Sequence, residues 1–432
     1  MAEILPIKGW RYHPRFTDQI EQFTSPLFDV VSVKQKEALY KNELNSIHLS
    51  VPSGNQPGEE AKLTLEKWKK QETIIQDNIP GIYVYYQYFS LPGEDEEYCR
   101  KGFICHIKAY DWDENMVLRH ENTIPKAVDD RLDILKETAF QSSPTHGLYE
   151  DSEFLLEKYM DEAISSPLYD IEDYQGVREV LGVIHDARII KKFLQTIQEK
   201  KIILADGHHR YEGALAYKKS YEKTKIPVKE WTGYQYHMIY LSNSCQKDLK
   251  ILPTHRLFIN IQLQEEEIIE KLKAYFEVKV VLDPQDIGDL IINKPWSFGL
   301  IFKDSAYKIS LMPDKFRDRD DKTPPIVRQL DLEVLHFYFI DKVLGIPRDQ
   351  QRYSSSIAYE RNLSRCHVQV KSGEADFAVV TKGVSMKEVK DIALNGFMMP
   401  QKSTYFYPKA VAGLLFSSIA EEDFEFPYQM FL

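Results

Sequence analysis

Between Ile202 and Leu215 the chain reads Ile-Ile-Leu-Ala-Asp-Gly-His-His-Arg-Tyr-Glu-Gly-Ala-Leu, and few local structures accommodate that order. The opening apolar run is short and rich in Ile and Leu, as a strand inside a sheet should be. A helix is expected from Glu212, Ala214, Leu215, Ala216 and the lysines that follow, with acid early and base late to match its dipole. The turn between them holds Asp206, His208, His209 and Arg210 around Gly207. A strand-to-helix turn leaves backbone N–H groups and partial positive charge facing outward, where anions bind. Arg210 and two imidazoles make phosphate the natural ligand. One aspartate beside them suggests proton transfer or a magnesium ion. A single turn histidine is usually a satisfied surface residue. So many polar groups between a buried strand and a helix need partners, however, and mark a candidate site.

The Asp-Gly-His-His-Arg-Tyr motif, opening a helix after a hydrophobic strand, resembles the hallmark of the domain-of-unknown-function family numbered 1015. Other segments resemble that family in the same order along nearly the whole chain. They are Ser25-Pro26-Leu27-Phe28-Asp29-Val30-Val31-Ser32, with Leu27 in place of the second proline and Phe28 in place of the tyrosine, and then Asn45-Ser46-Ile47-His48-Leu49. Arg119-His120-Glu121-Asn122-Thr123 and Asp129-Asp130-Arg131-Leu132 follow. After the central motif come Leu252-Pro253-Thr254-His255-Arg256 and the stretch from Met399 to Lys409. The family carries no settled activity to transfer. The short loop itself is similar to those of the ParB, sulfiredoxin and free-serine-kinase superfamily, which hold nucleotide phosphates on a strand–turn–helix. That resemblance implies that Gly207 lets the backbone approach a phosphate and that His209 and Arg210 contact its oxygens. It also implies that Asp206 sits near the transferring group, an inference by analogy.

Composition narrows the partners. The chain has 432 residues, 55 of them Lys or Arg and 66 Asp or Glu, for a net charge of −11. Such a surface repels nucleic-acid phosphates, so no nucleic-acid partner is expected and the ParB likeness is not read as DNA binding. A local basic pocket still suits one small phosphorylated molecule. With 43% hydrophobic residues, 22 Phe and 26 Tyr, a packed core is assured. There is no run of about 18 apolar residues and no basic, apolar leader, so neither a membrane span nor a secretory signal is expected, and the chain reads as cytoplasmic. Cys99, Cys105, Cys245 and Cys366 form no C-x-x-C pair and read as free thiols.

Organisation follows from periodicity and breakers. The polar stretch Ser53 to Glu60 reads as a loop before a helix at 62–78, and 82–89 and 102–110 as strands joined across an acidic loop at 92–97 in an antiparallel hairpin. Helices are expected at 129–139, 152–163, 187–198, 265–275 and 331–343. Strands are expected at 234–241, 249–252, 278–282, 297–302 and 307–312. The mixed charges of 314–321 read as a solvated loop. These elements suggest an α+β protein with mixed sheets, divided into an N-terminal domain (1–245), a second α+β unit (246–390) and a C-terminal segment (391–432) returning toward the site.

Further candidates are weighed against plain structural roles. His255 and Arg256 invite a second anion contact, and a domain-junction salt bridge explains them equally well. Lys402, Ser403 and Thr404 suit a phosphate or carboxylate but lack the preceding Gly-x-x-x-x-Gly of a P-loop. Arg119 and Glu121, two apart on an expected strand, share a face that His120 does not. Asp29, Glu121 and Asp130 are candidate acids or turn caps. Zinc is not expected, because His208 and His209 are adjacent and the position four after His209 is Gly213.

The reading is a nucleotide-dependent phosphotransferase acting on a small hydroxylated metabolite, with free serine suggested by the loop. ATP or ADP, with magnesium, would be the cofactor. A phosphatase or other hydrolase using the same anion pocket, and a non-catalytic nucleotide or metabolite regulator, stay open. Asp206, His209, Asp29 and Glu121 are the catalytic candidates. Gly207, His208, Arg210, His255, Arg256, Lys402, Ser403 and Thr404 are those for phosphate. The oligomeric state is left open.

Overall fold

Ile82, Val84 and Tyr86 face one side of a strand and Tyr83 and Tyr85 the other, and both sides are buried. That double burial explains why Ile82–Ser90 is apolar or aromatic at nearly every position rather than alternating with charge. The computed structural model describes residues 1–223, 231–319 and 321–424. They form two compact units, one of residues 1–119, 123–250 and those from 408 onward, the other of 120–122 and 251–407.

In the first unit the strands of the main sheet are β1 (Ile4–Leu5), β2 (Ile82–Ser90), β3 (Glu97–Lys108), β4 (Val117–Leu118), β5 (Thr145–Tyr149), β6 (Tyr169–Glu172), β7 (Arg178–Ile184), β8 (Ile202–Asp206) and β9 (Tyr236–Asn243). They make one sheet in the order β4-β8-β5-β9-β3-β2-β7-β6, with β1 pairing beside His106 and Ile107 of β3. The β4–β8 and β5–β9 pairs are parallel and the others antiparallel, so the sheet is mixed. The hairpin read from the acidic loop is β2–β3, in register from Tyr83↔Ile104 to Ser90↔Glu97.

Helices α1 (Pro57–Lys70), α2 (Pro125–Thr138), α3 (Glu157–Ile164), α4 (Ala187–Gln198) and α5 (His208–Glu222) accompany this sheet. The Asp186 carboxylate caps α4, accepting the Arg188 and Ile189 N–H groups at 2.9 and 3.1 Å. Ile190, Phe193, Leu194 and Ile197, at helical spacing, then bury one stripe against Phe103 and Ile82. On the opposite face, Leu65 and Trp68 of α1 pack with Tyr83, Tyr85 and Tyr240 and with the apolar segment from Ala410 to Phe416.

Three departures from the sequence reading have clear local causes. The helix expected at 62–78 runs instead over Pro57–Lys70, since Pro57 suits a first helical position and Glu59 and Glu60 its first turn. It stops before Glu72, whose φ is +51°, and Ile74–Gln76 is a strand. The helix expected from 152 begins only at Glu157, because the Asp151 carboxylate accepts the N–H groups of Glu153 and Leu155 and ties them into a turn. Finally, 314–321, of which Asp320 lies outside the described residues, is not simply a solvated loop where it is described. Pro313–Arg317 is helical, and the buried Arg319 guanidinium pairs with Asp321 at 2.6 Å and Glu333 at 2.7 Å.

The second unit holds a fully antiparallel sheet of β10 (His255–Phe258), β11 (Phe276–Val280), β12 (Ser297–Ile301), β13 (Ala306–Leu311), β14 (Ile357–Glu360) and β15 (Phe377–Val380), ordered β11-β13-β12-β15-β10-β14. Its principal core gathers Phe258, Phe298, Leu300 and Phe377 around Leu335, Phe339 and Ile340. The helix expected at 331–343 starts as α-helix over Asp331–Val334 and widens into a π-helix over Leu335–Val343. No helix among the described residues is long and apolar enough to cross a membrane.

Phe193 is fully buried and packs edge-to-face on Phe103 with ring centroids 4.8 Å apart. Phe193→Ala is expected to destabilise the fold by about 3–5 kcal/mol. Urea denaturation followed by tryptophan fluorescence checks this, and an unchanged midpoint would refute the packing account.

Candidate functional site

Strand β8 is buried at all five positions and ends in Asp206. Its pairing with β5 shifts register between Leu204 and Asp206, a bulge of the kind that re-aims a side chain at a strand end. Gly207 follows with φ at +86°, where glycine is favoured. A Cβ there would also lie 2.7 Å from Thr145 Cγ2, so the position is closed to other residues on two counts. Helix α5 begins at His208, placing Arg210 in its first turn, four residues after Asp206.

The Asp206 side chain is only 12% exposed and holds two cations. Arg210 Nη2 donates to Oδ2 at 3.1 Å, and Lys409 Nζ donates to Oδ1. Burial alone would push the carboxyl toward neutrality. Lys409 and Arg210 together outweigh it and hold Asp206 below the ordinary carboxylate range. Arg210 Nη1 also donates to Ser143 Oγ at 3.0 Å and to the Pro144 carbonyl at 2.5 Å. Across the β5–β8 pair, His146 faces Asp206, gives or takes a hydrogen bond with Ser242 at 2.5 Å, and is kept neutral chiefly by burial.

Beside Arg210 lies a cavity of about 60 Å³ lined by Phe28, Arg131, Gln141, Ser143 and His237 among others. It has room for a few waters or one group of phosphate size. Arg131 reaches it from α2, stacked 4.4 Å from the Phe28 ring centroid and donating to the Ser50 carbonyl at 2.6 Å. Burial pushes the Arg131 guanidinium down to about 10, with Asp130 and Asp29 opposing that and Arg210 adding to it. The Nε–H groups of Arg131 and Arg210 are buried and have no hydrogen-bond partner among the described residues. Buried donors in that state invite an acceptor. Two guanidinium groups thus line the cavity, each with a buried donor that lacks a partner among the described residues.

The sequence candidates fall into two groups. Asp206, Gly207, His208, His209 and Arg210 lie together on the turn. His209 Nε2 accepts the Ile124 N–H at 2.9 Å, which leaves its proton on Nδ1, and Phe28 meets its ring edge-on. Asp29 is exposed on the turn after Phe28 and lies near enough to Arg131 to favour its charged form. Glu121, His255, Arg256, Lys402, Ser403 and Thr404 belong to the second unit. There the Glu121 carboxylate accepts the N–H groups of Ser403 and Thr404 at 3.0 and 3.1 Å. β4 ends at Leu118, so Arg119 and Glu121 do not share a strand face as expected, and Arg119 pairs with Glu212 at 3.6 Å instead. His255 Nδ1 accepts the Thr381 N–H at 3.2 Å, and burial, with Arg256 adding to it, pushes the imidazole down to about 4. Arg256 is fully buried, donating to the Thr254 carbonyl and lying over Tyr359.

Sequence reasoning gave no role to Lys409, Arg131, Ser143 or His146. A signal for the lysine existed: Lys409 stands alone before Ala410-Val411-Ala412, and a buried aspartate requires a cation from somewhere. Among the described residues no three His, Cys, Asp or Glu side chains are grouped to hold a metal ion.

Residues 4–333 match the model of the family described as "Protein of unknown function (DUF1015)", and the chain belongs to that family. No curated protein matches it. Among solved structures it is similar to a conserved hypothetical protein from Pyrococcus furiosus, at 12% identity over 74% of this chain and 97% of that one, with a TM-score of 0.38. It is also similar to a free serine kinase in complex with AMP, at 13% identity over 74% of this chain and 93% of that one, with a TM-score of 0.39. SbnI with a C-terminal truncation, from Staphylococcus aureus, is similar at 9% identity over 72% and 85%, with a TM-score of 0.34. These likenesses are too distant to carry an argument.

Lys409→Met is expected to cost about 3–5 kcal/mol, because it strands part of a buried charge. The Asp206 carboxyl is depressed in the folded chain relative to its ordinary value of 3.8, so its stabilising contribution is full above that value. It declines as pH falls below it and is gone below the folded pKa. The stability gap between wild type and Asp206→Asn, measured by denaturation across pH, should accordingly narrow in acid. A gap that widens there would show that Asp206 is not held ionised.

Proposed function

We propose that the chain is a nucleotide-dependent phosphotransferase whose acceptor is a small hydroxylated metabolite, with free serine the acceptor suggested by the loop's resemblance to free-serine kinases. The observation that carries this reading is Asp206 at the head of a strand–turn–helix, hydrogen-bonded to Lys409 and Arg210 and beside a cavity of phosphate size lined by Arg131 and Arg210. Phosphoryl transfer asks little covalent chemistry of the protein and much positioning and charge neutralisation. Arg131 and Arg210 would contact phosphate oxygens through donors that now lack acceptors. Asp206 would accept the hydrogen bond of the acceptor hydroxyl and orient it. Its low proton affinity suits a late proton transfer, in which the new O–P bond forms and the donor's bridging P–O bond breaks first. Once protonated, the carboxyl would leave Lys409 and Arg210 with uncompensated charge facing the transferring group.

Magnesium does not fit as a protein-held ion here, since both Asp206 oxygens are engaged by cations. No step is routed through it, and any such ion would be held by the nucleotide's own phosphates.

Binding of ATP or ADP is expected to raise the melting temperature by mass action. Asp206→Asn should keep that rise and lower serine-dependent ADP formation by about 10²–10⁴-fold. Should Asp206→Asn fail to fold, Arg131→Gln carries the test, weakening nucleotide binding by about tenfold or more. A shift with inorganic phosphate alone would favour a hydrolase. Nucleotide shifts untouched by Arg131→Gln would refute the site.

A further inference from the structure

The second unit contains a cavity of about 250 Å³, near the lower end of small-molecule pockets, lined by Asn122, His336, Arg348, Gln351, Arg352 and Met399 among others. His336 belongs to the π-helix, a geometry that often marks functional positions. Its side chain is 6% exposed, and its Nε2 has no hydrogen-bond partner among the described residues. The other ring nitrogen, Nδ1, lies 2.7 Å from Gln351 Oε1. Gln351 Nε2 donates to the His336 and Ile346 carbonyls at 3.0 and 2.9 Å, which fixes the amide with Oε1 as the acceptor. Nδ1 must therefore carry the proton, and Nε2 presents a lone pair. Burial, with Arg256 adding to it, pushes the imidazole down to about 3 and keeps it neutral.

The charges on the wall are unequal. Glu333 is buried, and its two oxygens are taken by Arg319 at 2.7 Å and Arg348 at 2.6 Å. Arg352 is different: its Nε and Nη2 are buried without hydrogen-bond partners, and no acidic side chain among the described residues pairs with it. The pocket thus combines one uncompensated guanidinium with one neutral acceptor.

We propose that this pocket binds a small carboxylate bearing a hydroxyl or ammonium group, the carboxylate on Arg352 and the neighbouring donor on His336 Nε2. A ligand with only an anion would leave the imidazole unsatisfied, and a neutral alcohol would leave the guanidinium unsatisfied. The inference stands apart from the phosphotransferase reading, because none of its residues lies on the Asp206 turn.

Isothermal titration of the full chain with glycerate, L-alanine and acetate, without nucleotide, tests it. Glycerate or L-alanine is expected to bind at least about tenfold more tightly than acetate. Arg352→Gln should abolish that binding. His336→Asn, which keeps a donor toward Gln351 but removes the pocket's lone pair, should reduce it to the level of acetate. Asp206→Asn should leave it unchanged, and melting curves of each free variant confirm folding. Acetate binding as tightly as the others, no binding of any probe, or binding lost in Asp206→Asn but kept in Arg352→Gln would each overturn the proposal.

Discussion

A buried carboxylate, that of Asp206, ties distant segments of the first unit together. Asp206 ends a strand whose other residues are apolar, and taking its charge out of water is costly unless cations follow it inward. Arg210 comes from the next helical turn, and Lys409 from a segment 203 residues away in sequence. Satisfying the carboxylate therefore has structural consequences at a distance. It anchors Lys409 at the start of the apolar run Ala410 to Phe416, which covers one face of the sheet. It also fixes Arg210 against Ser143 and Pro144, and so sets the wall of the cavity that Arg131 completes.

The same arrangement shapes what the turn can do. Arg210 and Lys409 are not free cations waiting for phosphate; each already has Asp206 as counter-ion. The charge available to a ligand comes first from Arg131 and from buried Nε–H groups. More becomes available only when the carboxylate gains a proton. Under the proposed phosphotransferase reading, anion affinity and the protonation of Asp206 would be coupled, as suits a hydroxyl that surrenders a proton while a phosphoryl group arrives.

Much of this was legible in the sequence where the determinants are local. Ile202 to Asp206 and the helix after Gly207 are set by neighbours in the chain. So are α4, with its aspartate cap and apolar stripe, and the β2–β3 hairpin. Lys409, the distant partner of Asp206, and Arg131, which reaches the cavity beside Arg210, were not legible, because tertiary packing that no periodicity announces brings them there. Local pattern also failed where a side chain overrode it. Asp151 ties down the turn ahead of α3, and Arg319, within a segment that looked solvated, is drawn into the second unit by Glu333. The π-helix left no trace because its apolar positions fit an α-helix as well.

The most direct measurement is ³¹P nuclear magnetic resonance of the purified chain with ATP, magnesium and free serine. The account predicts a new phosphomonoester resonance growing in step with ADP, and no such resonance when serine is left out. ATP that persists unchanged, or that yields only inorganic phosphate whether or not serine is present, would contradict it.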